Sequence, residues 1–326
     1  MYKRQVIGFS LAAYSVVAND SVQTLGTFIA SNSENFKWYV LAGAASLVLC
    51  LTLLNGWYFH GDISYGRLNK IPFQEIKWYH AAAPGFLLLL TRFGIPVSTT
   101  FLVLSAFAST VVLEKVLVKS VIGYALAAVI AYTLWIVLSR YINEKFDVVK
   151  NPERWRVFQW LTTGFLWYTW LSHDMANIAV FLPRDLPFVM LLGIMGLLTF
   201  LLFYIFYEKG GRIQSIVLEK RGTRFIRSAT IIDGVYAFIL LYFKYYNDIP
   251  MSTTWVFVGL LCGRELAIAT VVSDYKLGYV FPIIGKDFLK MIMGLTVSVA
   301  IVLAIHYVII PGGYEDINIS LAWLRL

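Results

Sequence analysis

The stretches Ala18-Asn19-Asp20-Ser21-Val22-Gln23 and Ser172-His173-Asp174-Met175-Ala176-Asn177 stand 154 positions apart, and so do Ile95-Pro96-Val97-Ser98-Thr99-Thr100 and Ile249-Pro250-Met251-Ser252-Thr253-Thr254. Within each copy the proline follows the aspartate by 76 residues. The parts that repeat are the polar ones, set in a chain that is otherwise apolar. Two related half-sites at one offset imply one shared site.

The chain has 326 residues, of which 59% are hydrophobic and only 14% charged, with a mean hydropathy of +0.70. A soluble domain is roughly 25% charged, so this composition belongs to a polytopic membrane protein. Apolar runs at 38–54, 121–138, 187–206 and 291–310 are each near the ~20 residues that cross a bilayer as a helix. They are continuous rather than alternating, which excludes a membrane barrel and predicts an all-α fold. The net charge of +8 does not mark a nucleic-acid surface, because the basic residues gather in short loops. Arg140, Lys145, Lys150, Arg154 and Arg156 form one group, and Lys209, Arg212, Lys220, Arg221, Arg224 and Arg227 the other. Such loops face the cytoplasm. Cys50 and Cys262 lie in apolar stretches without metal or redox spacing and read as small core residues. Lys3-Arg4 and the apolar run from Val6 imitate a signal peptide. Cleavage near Asn19 would cut a repeated motif, so the run is read as a membrane helix.

Each half, 1–150 and 151–326, is expected to repeat one plan. A first helix at about 5–30 is interrupted at Asn19-Asp20, and a second follows at 37–58. A polar loop runs from His60 to Pro72. An apolar stretch at 74–92 leads to a break at Gly94-Ile95-Pro96, then to a short run after Ser98-Thr99-Thr100 and a last helix at 119–142. The second half offers 157–182, 187–207, 229–246, a break at Asn247 to Pro250, 252–270 and 286–310. The segments around each break form either a re-entrant hairpin or two crossings. Both alternatives give an odd number of crossings per half, so the second copy is inverted, as in many secondary transporters. The total is then even, and the basic loops put both termini outside.

Asp20 and Asp174 fall in mid-segment, where an ionised carboxylate costs about 2.5–3.5 kcal/mol on insertion scales. No Lys or Arg lies within one turn of either, so a bound cation, a proton or a distant helix must compensate them. Residues three apart share a helix face, which sets Asp20 with Gln23 and Asp174 with Asn177, beside Asn19 and His173. A carboxylate with an amide is an oxygen-ligand set suited to a hard cation such as Na+. Proline favours the first helical turn, so Ser98-Thr99-Thr100 and Ser252-Thr253-Thr254 are expected at helix starts. There, unpaired N–H groups and the helix dipole favour an oxyanion. Two cation groups and two anion groups describe a cation-coupled oxyanion carrier.

These clusters resemble the signatures of the PiT family of inorganic phosphate transporters, a Gly-Ala-Asn-Asp-Val-Ala-Asn-Ala type and a Pro-Val-Ser-Thr-Thr type in each of two inverted halves. The resemblance spans about 5–145 and 157–310. It implies symport of phosphate with Na+, or H+ in some members, a homodimer, and termini on the outside. Asn19, Asp20 and Gln23 fall on the Asn, Asp and second Asn of the first signature, and Asp174 and Asn177 on the Asp and second Asn of the other. Ser98, Thr99, Thr100, Ser252, Thr253 and Thr254 match the hydroxyl run. Gln23 and His173 stand where the family has Asn, and the chain lacks a large central loop. An imidazole beside Asp174 can donate to the anion, or titrate near neutral pH and move coupling towards H+. Relatives of the family carry sulfate, so the anion is phosphate or, alternatively, sulfate. A compact chain of this kind fits a prokaryotic inner membrane.

An intramembrane aspartyl enzyme is the competing class, since Asp20 and Asp174 could share a proton as a dyad. It leaves the Pro-x-Ser-Thr-Thr pair unexplained, and the expectation is a carrier, not an enzyme. His80, Arg92, Asp233, Arg264 and Glu265 have no ionisable counterpart at the offset. Arg92 and Arg264 could help neutralise an anion but read first as snorkelling side chains, with a local pair to Glu265 as a further reading of Arg264. Trp38, Trp57, Trp155 and Trp160 read as interfacial anchors.

Overall fold

The protein is described from a computed structural model, which covers residues 2–71, 73, 75–93, 97–107, 110–141, 151–211, 213–220, 225–246, 251–271 and 277–305. The two proline breaks lie outside these residues, as do Lys145, Lys150, Arg212, Arg221, Arg224 and the end of the last apolar run. Among the described residues there is no strand.

The first helix is one continuous rod with a wide turn in it. α1 (Tyr2–Ser15) passes through a π-helical segment at Val16–Asp20 into α2 (Ser21–Asn32). A π-turn inserts one residue into the helical ladder and is frequent at functional sites; here it ends on the Asn19-Asp20 pair that the sequence marks as an interruption. The corresponding rod of the second half is α7 (Pro152–Asp174), which stops at its aspartate, and the single turn α8 (Ala176–Ala179) beyond Met175. Pro152 opens α7 in the first turn, where its missing N–H costs nothing.

α3 (Trp38–His60) and α9 (Phe188–Tyr207) are the second helices. Gly61, at φ 74°, closes α3, the left-handed position glycine takes without a Cβ clash. α4 (Trp78–Arg92) has 15 residues, a length of about 22 Å that falls short of the ~30 Å hydrocarbon core. Beyond the first break come a π-turn at Thr100–Leu104 and a short α5 (Ser105–Phe107). α6 (Thr110–Tyr141) then starts nine residues ahead of the expected 119, because no proline interrupts that stretch. α10 (Gln214–Leu218), α11 (Ile226–Tyr246), α12 (Thr253–Val271) and α13 (Leu277–Ala304) are the remaining helices among the described residues. The start of α13 also precedes its expected 286, and Pro282 lies inside the helix, where its missing N–H forgoes the bond to the Gly278 carbonyl. Among the described residues six helices, α3, α6, α9, α11, α12 and α13, are long and apolar enough to cross a membrane. α12 is largely enclosed by the others, whereas α6 and α13 turn most of their surface outward.

The signature-bearing rods of the two halves run antiparallel against each other. Gln5, at the start of α1, donates to the carbonyl of Phe181 just past α8 (2.8 Å), while Asn32, at the end of α2, donates to Gln159 near the start of α7 (2.7 Å). α3 and α9 are likewise antiparallel. The Trp38 ring lies 5.4 Å from Tyr207, Cys50 meets Thr199 at mid-length, and the Trp57 ring lies 5.2 Å from Phe188. Trp57 also donates to the Leu186 carbonyl at 2.7 Å. Around this centre α4 packs on α1, α11 on α7 and α12 on α6. The last pair is close because Gly259 and Gly263 face the backbone of Tyr124 and Ala128. A Cβ on Gly263 would lie 2.1 Å from the Ala128 carbonyl oxygen, the small-xxx-small contact of membrane helices.

The segment after α3 is not the surface loop its polarity suggests. Ile63, Ser64, Arg67, Leu68 and Ile71 are buried. Asp62 accepts from the backbone and the hydroxyl of Ser64 (2.7 and 2.8 Å), and Tyr65 and Gly66 both adopt positive φ, 57° and 74°. The chain thus turns inward, and a single 3-10 turn (Arg67–Lys70) delivers Arg67 to the interior. Cys50 is half-buried, Cys262 buried, and both are free.

Candidate functional site

The π-turn and the end of α7 bring Asp20 and Asp174 to the start of α12. Thr253 and Thr254 are adjacent in that first turn; Thr253 donates to Asp174 at 2.5 Å and Thr254 to Asp20 at 3.4 Å. The two carboxylates therefore face each other across one helix N-terminus, whose dipole favours negative charge. Thr99 donates to the other oxygen of Asp20. The pair Thr99 with Asp20 repeats as Thr253 with Asp174 at the same 79-residue separation. The site joins the halves twice more, because Asn177 donates to Thr100 at 3.4 Å and Thr100 to the carbonyl of Met251 at 3.5 Å.

The amides complete the shells. Asn19 spends its two N–H donors on Asp20 (2.6 Å) and the Val97 carbonyl (2.6 Å), and Gln23 donates to the Asn19 oxygen at 3.5 Å. Asn177 donates to Asp174 at 3.1 Å. All twelve candidate residues, Asn19, Asp20, Gln23, Ser98, Thr99, Thr100, His173, Asp174, Asn177, Ser252, Thr253 and Thr254, are buried, none more than 5% exposed. A carboxylate offers about four lone-pair positions. Asp20 receives three donors and Asp174 two from the contacts above, leaving acceptor capacity at both. The side-chain oxygen of Asn177 has no hydrogen-bond partner. A buried acceptor left so costs about 1–3 kcal/mol, and a hard cation held between it and Asp174 would satisfy both.

Ser98 and Ser252 do something different from their threonine neighbours. Ser98 Oγ accepts from the backbone N–H of Phe101 (3.4 Å) and Ser252 Oγ from that of Trp255 (3.3 Å). Each satisfies a donor three residues on, as an N-cap does. The Ser252 N–H is itself bonded to Ser120 at 2.9 Å. The hydroxyl runs sit at helical starts as expected, but their side chains are engaged with the carboxylates and the backbone.

His173 points away from its neighbour. Its Nε2 lies 2.8 Å from the Leu240 carbonyl and 3.4 Å from Arg67 Nη2. A carbonyl can only accept, so the shorter contact makes Nε2 the protonated nitrogen and Nδ1 the lone-pair nitrogen; Nδ1 is buried with no hydrogen-bond partner. Arg67 also donates from Nε to the Ser172 carbonyl at 3.0 Å. Sequence reasoning missed Arg67, which is the distant basic group required beside Asp174. The signals available were the apolar Ile63, Leu68 and Ile71 inside a polar loop and the two glycines, Gly61 and Gly66, that precede Arg67. It also missed Tyr236, whose hydroxyl donates to the Thr253 carbonyl at 3.0 Å, and Ser120.

The outlying charges resolve simply. Arg264 does not snorkel: it is buried in the enclosed α12 and donates to Glu265 at 2.7 Å, the local pair of its further reading, and to Ser228 at 2.8 Å. Arg92 is exposed, as a snorkelling side chain is. Asp233 accepts from Thr27 at 2.5 Å and from Thr163, tying α11 to both signature rods. Among the described residues no three His, Cys, Asp or Glu side chains converge as metal ligands.

No protein-family model matches the chain. Over 245 residues it is 24% identical to the "Putative phosphate permease" of Pyrococcus furiosus, a stretch that covers 66% of this chain and 53% of that protein. The chain thus spans about half the length of the curated relative it matches. Among solved structures, a sodium-dependent phosphate transporter superposes with a TM-score of 0.62 at 18% identity, covering 94% of this chain and 98% of the other. The fold is therefore that of a multi-pass helical membrane protein, and in sequence and architecture the chain resembles a phosphate permease and a sodium-dependent phosphate transporter.

Proposed function

We propose that this chain is a symporter of inorganic phosphate driven by a cation, Na+ in the first place. It works by alternating access between two inverted halves, 1–150 and 151–326, with a re-entrant hairpin in each. The antiparallel crossing of the signature rods supports the inversion, and the short α4 supports the hairpin. The names of the similar proteins, a phosphate permease and a sodium-dependent phosphate transporter, support the anion and the coupling ion. The homodimer, the placement in a cell inner membrane and the termini on the outside belong to the same proposal.

One observation carries the mechanism: the hydroxyl hydrogens of Thr99 and Thr253 are given to Asp20 and Asp174. A threonine has one O–H to donate and two lone pairs, so the same hydrogen cannot serve a carboxylate and an anion together. A cation on the carboxylate takes the hydroxyl lone pair instead, and the hydrogen turns to the anion. Cation binding thereby both neutralises two like charges and creates the donors for phosphate, which makes the order cation first. Asp20, Asp174, Asn19 and Asn177 hold the cation; Thr99, Thr100, Thr253, Thr254 and Gln23 face the anion. Ser98 and Ser252 keep the helix starts in place. The His173 lone pair offers an acceptor for an anion that carries a proton, which phosphate does and sulfate does not near neutral pH.

Uptake of labelled phosphate into proteoliposomes, with and without an inward Na+ gradient and with sulfate as competitor, is the test. Na+-driven uptake resistant to sulfate is expected. Uptake driven only by a pH gradient moves the coupling to H+, and block by sulfate makes the chain an oxyanion permease of broader choice.

A further inference from the structure

Beside the central site, on the flank of α7 and α11, lies a cavity of about 480 Å³ whose walls include Tyr65, Arg67, Tyr168 and Lys244. Its lining holds Arg67, Lys244 and His60 and no carboxylate among the described residues. Lys244 Nζ stands 4.7 and 4.9 Å from the ring centres of Tyr65 and Tyr168 and 3.5 Å from the Tyr168 hydroxyl. Those contacts hold the ammonium by cation–π attraction without neutralising it. The wall opposite is built at a cost. Tyr65 carries a φ of 57° that a side-chain-bearing residue rarely adopts, held by its hydroxyl on the Thr52 carbonyl at 2.7 Å. Backbone strain of this kind, about 1–3 kcal/mol, persists where the surroundings over-determine it, typically at functional sites. At the cavity floor Arg67 reaches Ser172 and His173, the residues just before Asp174.

We propose that this basin is a second anion site, an antechamber that binds a phosphate-class oxyanion weakly before it passes to the central site. Arg67 links the two spaces, since it lines the basin and its guanidinium is held on the Ser172-His173 turn beside Asp174. The Lys244 ammonium is the mobile point charge that meets the anion, and the Arg67 guanidinium, held on the Ser172-His173 turn, adds fixed positive potential behind the wall. Clustered positive charge between low-dielectric walls raises the local concentration of an anion and its rate of arrival. The loop 61–71 is pinned on the side of the α3 C-terminus, with Leu186 N–H on the Gly61 carbonyl (3.2 Å) and Arg184 on the Ile71 carbonyl (2.9 Å). The basin therefore opens on the face where α1 begins, the face expected outside.

The choice of phosphate as ligand rests on the function proposed above, but its test does not need transport. Labelled inorganic phosphate is dialysed to equilibrium against the full-length protein in detergent, with choline replacing Na+ and at low ionic strength. Weak Na+-independent binding is expected. Lys244→Gln should weaken it roughly ten-fold, the change that about 1.4 kcal/mol produces, Lys244→Arg should retain it, and Thr253→Val in the central site should leave it in place. Absence of Na+-independent binding, wild-type binding by Lys244→Gln, or loss in Thr253→Val with retention in Lys244→Gln would each overturn the antechamber. A wild-type protein that fails to accumulate phosphate in vesicles sinks the symport reading alone, because the dialysis result stands without a gradient.

Discussion

Thr99 and Thr253 are the residues on which the proposed coupling turns, because each has a single hydrogen to place. Thr253→Val keeps the shape of the side chain and removes that hydrogen, leaving Asp174 without its 2.5 Å donor. In the loaded state valine offers neither a lone pair to the cation nor a hydrogen to the anion, and a contact to a charged group is worth about 1.5–3 kcal/mol. The half-saturating Na+ and phosphate concentrations should therefore both rise by about ten-fold or more, whereas Thr253→Ser should stay near wild type. Asp20→Asn and Asp174→Asn, which remove the cation's charge partner, should abolish Na+-coupled uptake; wild-type transport by both variants would remove the aspartates from the mechanism. Ser252 is a contrast. Its oxygen caps α12, so Ser252→Ala should cost about 1 kcal/mol, seen as a melting temperature a few degrees lower, with a smaller effect on uptake than Thr253→Val.

At the scale of the helix, α12 is constrained by its glycines. A Cβ on Gly263 meets a backbone carbonyl of α6 at 2.1 Å and one on Gly259 meets Tyr124 at 2.4 Å. Backbone cannot rotate aside as a side chain can, so α6 and α12 would have to part, and with them the helix start that carries Thr253 and Thr254. Gly263→Ala should therefore lower thermal stability by more than the 1–3 kcal/mol typical of an overpacked core. Gly196→Ala in α9, where nothing lies within 4 Å, should be neutral or slightly stabilising, since alanine is the better helix former by about 1 kcal/mol. A thermal-shift comparison of the two purified variants separates packing from propensity. The aspartate rods differ in the same spirit: the first keeps its hydrogen-bond ladder through a π-turn, the second simply ends and resumes.

Across the whole molecule, the two first helices cross antiparallel with the carboxylates near their meeting point and polar ties at both ends. If the halves rock, these ties must slide. A protein carrying Asn32→Cys with Gln159→Cys, and serine at Cys50 and Cys262, should form a disulfide under mild oxidation, lose uptake, and recover it with reductant. Quantitative cross-linking with full transport would show that the rods do not move against each other there.

The amino-acid sequence by itself determined the class of protein, the extent of most helices and which polar residues converge in the central cluster. Long apolar runs can only be membrane helices, and a polar cluster repeated at one offset in such a chain has no cheap structural explanation. Its helix limits were missed at Thr110, where no proline or glycine marks the start, and at Leu277, where Gly278 and Pro282 read as breakers yet lie inside the helix. Only the tertiary structure decided how the polar groups are spent. It made Ser98 and Ser252 caps, gave the threonine hydrogens to the aspartates and turned His173 towards Leu240. It also brought Arg67 in from a loop more than 100 residues away in the chain. Periodicity reports which face of a helix is buried, but a side chain's partner depends on which other helix lies opposite and at what height. That is set by long-range packing, and for Arg67 by two left-handed residues whose turn no hydrophobic pattern records.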